Sequence, residues 1–403
     1  MPTGEPPPQR ARKVGLVLAG GGARGAYETG ALSVLLPALE RRGEAPRVIV
    51  GTSVGAIGCA FLAAAAHRPA AEAVAGAEEW WCGLRRGDVM GSLLARLPRA
   101  TGVALARVLG VRTRPLGGLV DSSPLRATLE ARIEWERLGR NMRDGALDSA
   151  AVVASAAHDG RAVVFTDTRD ELPPDGGSLR YVRTELSCDH VHASAAIPVL
   201  FAPVRVPGPP AQAWYLDGGT RLNTPIKPAV DQGADRIVVI ALDAVDPAPA
   251  GPAPARPPEL ADVASHLLQG ALVDPLVGDL RRLASVNAMV ASGASTGARE
   301  IPYIVIAPRA HDTVARLALE TLRRRYGGLR ALRSPELTLL VRLLGGRGAS
   351  GGALLSMLLF DSHFIRALIA QGREDARRWL DAARGDLAPW HLGPLGSRPG
   401  AHG

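Results

Sequence analysis

Val48-Ile49-Val50-Gly51-Thr52-Ser53-Val54-Gly55-Ala56 is the stretch whose reading decides the fold. An apolar run meets a Gly-x-Ser-x-Gly corner and passes at once into small and apolar residues. That is the pattern of a buried strand, a sharp turn and the first turn of a helix. In such a nucleophile elbow the turn lifts a serine hydroxyl clear of the sheet edge. Gly51 and Gly55 stand where the strand and helix backbones come too close for a Cβ. Taken alone, the five residues also fit ordinary turn composition. What gives them weight is a glycine run before them and an aspartate well after them.

Upstream, Val14-Gly15-Leu16-Val17-Leu18-Ala19 is a short continuous apolar run, the mark of a parallel strand buried on both faces. It ends in Gly20-Gly21-Gly22-Ala23-Arg24-Gly25, after which residues 26–41 show helical spacing through Leu32, Leu35, Leu36 and Leu39. Residues 47–50 form the second strand, and a helix is expected over 56–67. The order β-α-β-α predicts a parallel sheet layered with helices.

Residues 70–114 read as mostly helical and basic. Their Trp80-Trp81 pair suits core packing better than a membrane anchor, and whether 70–114 forms a lid over an active site stays open. Ser122-Ser123-Pro124 reads as the cap and first turn of a helix over 125–133. Residues 150–154 and 161–166 form a hairpin through His158-Asp159-Gly160, and a helix over 189–197 stops at Pro198. Residues 204–206 and 213–216 form a second hairpin that runs directly into Asp217-Gly218-Gly219. A helix near 228–232 precedes a buried strand over 236–242. Beyond a Pro/Ala-rich loop the chain is helical over 260–290, 313–325, 335–344 and 353–384, interrupted by a strand at 301–306 that is able to join the same sheet.

The 403 residues are 47% hydrophobic but only 4% aromatic, so the core must be built from Ala, Val and Leu. The net charge of +8 is nearly all arginine, since Lys13 and Lys227 are the only lysines. Codon composition is one reading of that bias; a basic face meeting an acidic membrane surface is the sharper one. No nucleic-acid motif or aromatic interleaving accompanies the charge, which argues against nucleic acid as a partner. Cys59, Cys82 and Cys188 lack the spacing of a disulfide framework or a zinc site. Residues 1–12 lack a signal peptide's apolar run, and no apolar stretch reaches the ~18 residues of a membrane span. A cytoplasmic protein that touches membrane only at its surface is the expectation.

Gly20-x-Gly22-x-x-Gly25 formally fits the dinucleotide fingerprint, but the second strand does not end in the carboxylate that would hold a ribose. A tight packing turn is a second reading. An anion nest at a helix N-terminus, of which an oxyanion hole is one case, fits better. Arg24 would then add positive charge or lie on the surface. A serine nucleophile also needs a base. His158, His190 and His192 follow Ser53, but none lies in a Gly-flanked loop at a strand end. Asp217 does, and the positive end of the helix after Ser53, with poor solvation, would support a carboxylate in that role.

The order Gly-Gly-Gly-x-Arg-Gly, Gly-x-Ser-x-Gly, Ala193-Ser194-Ala195-Ala196-Ile197-Pro198 and Asp217-Gly218-Gly219 resembles the patatin-like phospholipases, their bacterial members most closely, over residues 14–242. Residues 354–376 are similar to the helical tail of those proteins. The resemblance implies a three-layer α/β/α core with a mostly parallel sheet and a helical C-terminal extension. It also implies a Ser-Asp dyad that hydrolyses acyl esters of lipids without a metal or other cofactor. Carried over by position, Ser53 is the nucleophile and Asp217 the base. Gly20, Gly21, Gly22, Arg24 and Gly25 form the oxyanion hole, Gly51 and Gly55 the elbow, and Gly218 and Gly219 the turn after the base. The Ala193 to Pro198 block packs beside the site. Ala19 departs from the acidic or hydroxyl residue many members carry there.

The organisation that follows is a tail over 1–12, a catalytic domain over 13–245 and a loop over 246–258. A helical extension over 259–390, with a strand near 301–306, and a tail over 391–403 complete it. A catalytically silent lipid-binding or regulatory protein of the same fold is the alternative, and a dinucleotide-binding protein a weaker one. Head group, acyl position, chain length and oligomeric state are not written in these motifs.

Overall fold

A computed structural model describes residues 12–92, 117–246, 257–294, 297–326, 348–382 and 390–394, with isolated positions at 94, 95, 98, 101–103, 106, 109, 110, 336 and 341. The expected loop over 246–258, the helix over 335–344 and both outer tails fall largely outside the described residues, as does most of 93–116.

The first half of the chain alternates as its apolar runs require. β1 (Val14–Leu18) leads to α1 (Gly25–Arg41), and β2 (Pro46–Thr52) to α2 (Val54–Ala65). Next come α3 (Ala70–Gly83), α4 (Arg86–Val89), α5 (Ser123–Arg132) and α6 (Trp135–Arg143). β3 (Ser149–Ala156), β4 (Ala162–Thr168), β5 (Leu179–Arg183), α7 (Cys188–Ser194), β6 (Val204–Val206), β7 (Ala213–Asp217), α8 (Ile226–Asp231) and β8 (Arg236–Ile240) follow. The C-terminal part contains α9 (Leu260–Leu272), α10 (Asp274–Ala291), β9 (Tyr303–Ile306), α11 (Thr313–Tyr326), α12 (Ala349–Leu358) and α13 (Ser362–Ala382).

The sheet runs β5-β4-β3-β2-β1-β8-β9, with β7 on the end of β3 and β6 beside β7. Pairs β1–β2, β2–β3, β1–β8, β8–β9 and β4–β5 are parallel. Pairs β3–β4, β3–β7 and β6–β7 are antiparallel, so the sheet is mostly parallel. β1 shows why its run is apolar throughout. Leu16 and Leu18 face a core shared with α1, α2 and α13, whereas Val17 faces the opposite core with α8 and α10. Helices on both faces make this an α/β/α arrangement with a helical C-terminal region.

Two elements were not anticipated. β5 is an edge strand whose exposed Arg183 and half-buried Arg180 dilute the apolar signal. α6 carries three arginines in nine residues, and it is held in place by Asn141, whose Nδ2 donates to the carbonyls of Ala63 and Ala64 at the end of α2. The expected helix over 260–290 is two helices, broken at Val273 before Pro275, which supplies no N–H. The expected helix over 353–384 is also two, bent by 103°. There Asp361 Oδ1 accepts the His363 N–H at 2.9 Å and so starts α13 afresh. No described helix is by itself long and apolar enough to cross a membrane.

The C-terminal part does not stand apart from the rest. β9 extends the sheet beside β8, and α13 lies against α1. Gly30 faces the Ile369 carbonyl and Gly372 the Tyr27 carbonyl, each too closely to leave space for a Cβ. Across the same contact Tyr27 Oη donates to Asp375 Oδ2 at 2.9 Å. Even the expected tail begins anchored, because His391 and Tyr303 exchange backbone hydrogen bonds of 2.8 Å.

Candidate active site

β3 is longer than β2. Thr52 pairs with Val153, which leaves Ala154–Ala156 without β2 on that edge, because β4 holds the other edge. β7 fills the gap and runs antiparallel, with Asp217 opposite Ala154. The C-terminal ends of β2 and β7 therefore point at one another along a single edge of β3. Ser53 follows the first end, and Asp217 is the second.

At the corner Ser53 has φ 55° and ψ −120°, a region that L-residues rarely adopt, and its hydroxyl is turned out of the helix α2. Gly55 faces the Leu18 carbonyl and Gly51 the Gly55 carbonyl, again without space for a Cβ. Ser53 Oγ donates to Asp217 Oδ2 at 2.5 Å, and Asp217 Oδ1 accepts the Gly219 N–H at 2.7 Å. Both side chains are buried. Burial pushes the Asp217 carboxyl up to about 6, against the opposing pull of the hydrogen bonds from Ser53 and Gly219.

The Ala193 to Pro198 block does more than pack. Ser194 Oγ accepts the Ser53 N–H at 2.9 Å while donating to the Val153 carbonyl at 2.6 Å. The Ala196 carbonyl accepts the Asp217 N–H at 2.9 Å. One short segment thus braces the backbones of Ser53 and Asp217. A serine between alanines carries no local sign of this, and only the pairing of distant strands brings it there. Asn223, also unanticipated, ties the glycine turn to the loop after Asp217: its carbonyl accepts the Gly20 N–H at 3.2 Å and its Nδ2 donates to the Gly20 carbonyl at 3.3 Å.

The glycine nest is narrower than the sequence suggested. The Gly20 N–H is committed to Asn223, and the Gly25 N–H to the carbonyls of Gly22 and Ala23. Arg24 neither lies on the surface nor turns to Ser53. Its guanidinium is buried, pairs with Asp243 at 2.9 Å and donates to Ser356 Oγ and the Ala353 carbonyl, both at 2.7 Å. Gly21 and Gly22 remain, with N–H groups that precede the first hydrogen bond of the turn, from Arg24 N to the Gly21 carbonyl. Gly218 lies against Thr52 and the Val153 carbonyl, between the two strand ends.

The histidines stand elsewhere. His158 is exposed in the β3–β4 turn. His190 and His192 are buried on α7, where His192 Nε2 meets Ser122 Oγ at 3.0 Å and His190 Nδ1 meets Ser187 Oγ at 2.9 Å. Burial lowers both pKa values, that of His190 to about 4.

Ser53, Val54 and Gly22 line a pocket of about 60 Å³. Its other walls are almost wholly apolar, among them Trp80, Trp81, Leu125, Ile197, Phe201, Met357 and Phe360. The bend between α12 and α13 supplies Met357, Leu358 and Phe360, so the C-terminal helices close one side. A serine hydrogen-bonded to a buried carboxylate and lining such a pocket can meet the carbonyl of an apolar acyl group with water excluded.

A family description, patatin-like phospholipase, matches residues 16–230. Among solved structures, VipD from Legionella pneumophila aligns at 15% identity and a TM-score of 0.33, covering 87% of this chain and 67% of that one. The heterodimeric ExoU–SpcU complex from the type III secretion system of Pseudomonas aeruginosa gives 19% identity and a TM-score of 0.26, covering 94% of this chain and 73% of that one. Both scores are too low to carry a structural argument. Comparison with curated proteins gives no match.

Proposed function

Because the chain belongs to the patatin-like phospholipase family, we propose that it hydrolyses lipid acyl esters with Ser53 as nucleophile and Asp217 as base. The observation that carries this reading is the 2.5 Å hydrogen bond from Ser53 Oγ to Asp217, made at a backbone corner that holds the serine in a rare conformation. As Ser53 Oγ bonds to the ester carbon, its proton passes to Asp217, whose raised pKa makes it a better base than an exposed carboxylate. The oxyanion is held by the N–H groups of Gly21 and Gly22 at the start of the turn. Asp217 returns the proton to the departing alcohol oxygen as the carbon–oxygen bond breaks. Water then attacks the acyl-enzyme, losing its proton to Asp217, which passes it to Ser53 Oγ as the acyl–oxygen bond breaks, so the acid is released and the dyad restored.

The apolar pocket is the acyl site in this scheme, and the charge of +8 favours peripheral contact with an acidic lipid surface. The test is hydrolysis of a lipid ester series. Ser53→Ala is expected to lose about 10⁴-fold or more in kcat, and Asp217→Asn about 10²- to 10⁴-fold. Near wild-type turnover in either variant rules out the dyad. Covalent labelling by a fluorophosphonate separates the hydrolase from a silent lipid-binding scaffold of the same fold, which should not react.

A further inference from the structure

Behind the elbow lies a second, smaller void of about 30 Å³, lined by α1, α2 and α3. It shares a wall with the Ser53 pocket, since Val54, Ile57, Trp80 and Trp81 line both. Trp81 packs against Gly25, where a Cβ would come within 3.0 Å of its ring. Trp80 lies beside Phe61, with ring centroids 5.5 Å apart. Trp80 Nε1 has no hydrogen-bond partner among the described residues, so packing alone holds that ring. The inner void is apolar over most of its wall, with Leu18, Leu32, Phe61, Leu62 and Val74 among its lining residues. Its ionisable wall residue, Glu28, accepts the Ala19 N–H at 2.9 Å, and burial holds its carboxyl well above the usual carboxylate range, favouring the uncharged acid.

Resting on the acyl-hydrolase reading above, we propose that the Trp80–Trp81 pair is the floor of the acyl pocket and sets the longest chain it accepts. The space behind the pair is closed to substrate while Trp81 is in place and becomes a continuation of the pocket when that ring is removed. An aromatic floor of this kind discriminates by length, because a methylene that meets it gains no burial.

The experiment is the binding of a homologous series of saturated fatty acids to the full-length protein, read by displacement of a fluorescent fatty acid. In the wild type each added methylene tightens binding about fourfold, equivalent to about 0.8 kcal/mol, until the chain meets the pair and affinity levels off. Trp81→Ala moves that plateau to longer chains. Ala77→Leu, which takes up the inner void, leaves the plateau of the otherwise wild-type protein unchanged and restores it in the Trp81→Ala protein. The proposal is overturned by a plateau at the same length in wild type and Trp81→Ala, by a shorter plateau with Ala77→Leu alone, or by affinities that ignore chain length. Should Trp81→Ala fail to fold, Trp81→Leu makes the same comparison with less volume removed. Because the readout is binding, the two proposals fail separately. A length plateau without any ester hydrolysis would sink the hydrolase and leave the length limit standing, whereas hydrolysis with no plateau shift would do the reverse.

Discussion

At the scale of single residues, Asp217 ties activity and stability to one ionisation. Its carboxyl is displaced from an ordinary value of 3.8 up to about 6 by burial. In the proposed dyad the base must be ionised, so kcat/KM is expected to fall about tenfold per pH unit below about pH 6 and to level off above it. Stability runs the other way. A group whose folded pKa lies above its unfolded one contributes stability that is fully present below the unfolded pKa and is lost as pH rises through the folded one. A shift of about two units corresponds to about 3 kcal/mol. Unfolding in denaturant should therefore show the wild type losing about that much between about pH 4 and pH 6, while Asp217→Asn loses none of it. Identical pH dependence in the two proteins would mean that Asp217 is not the buried acid described here. Ser194 gives a second residue-scale expectation. Ser194→Ala leaves the buried Ser53 N–H without its acceptor, at a cost of about 1–3 kcal/mol. A positioning role predicts a lower kcat at little-changed KM, and an unchanged kcat would reduce Ser194 to packing.

At the scale of elements, the contact between α1 and α13 is the joint that connects the site to the C-terminal helices. Gly30 and Gly372 let the two backbones approach each other so closely that a methyl group at either position meets a carbonyl oxygen. Gly372→Ala should therefore cost about 1–3 kcal/mol by overpacking, visible as a lower unfolding midpoint. Because α12 precedes the bend and carries Met357 and Leu358 into the pocket, the same variant should weaken binding of acyl ligands. Full stability in Gly372→Ala would show that the helices can slide apart without penalty. The motifs of this region were legible as helical but not as a joint. Helical spacing records which face is apolar, and it does not record which helix lies against it.

At the scale of the whole molecule, the motifs of the proposed dyad all lie within 13–245, yet the C-terminal part covers a sheet edge and a helix face of that segment. Without β9, the β8 edge loses its ladder, and without α13, Tyr27, Leu35 and their neighbours on α1 lose their cover. Expression of residues 13–245 alone is expected to give aggregated protein, whereas the full chain gives a cooperative transition. A soluble 13–245 fragment with native near-ultraviolet circular dichroism would overturn that expectation and restore the extension to an independent appendage.

The sequence by itself determined the alternation of strands and helices, the serine corner, the aspartate at a strand end and the family to which they belong. Continuous apolar runs, glycine spacing and turn residues are local properties, and local sterics are enough to read them. Tertiary structure alone decided that β2 and β7 meet end to end along β3, which is what puts Ser53 and Asp217 within one hydrogen bond. It also decided that Arg24 serves the C-terminal helices rather than the nest, that Ser194 braces the backbone of Ser53 and that Trp80 and Trp81 line both the Ser53 pocket and the void behind it. Each of these depends on which distant segments share an edge or a face. Sequence spacing cannot encode that choice, because it is settled by how the buried surfaces of the whole chain fit together.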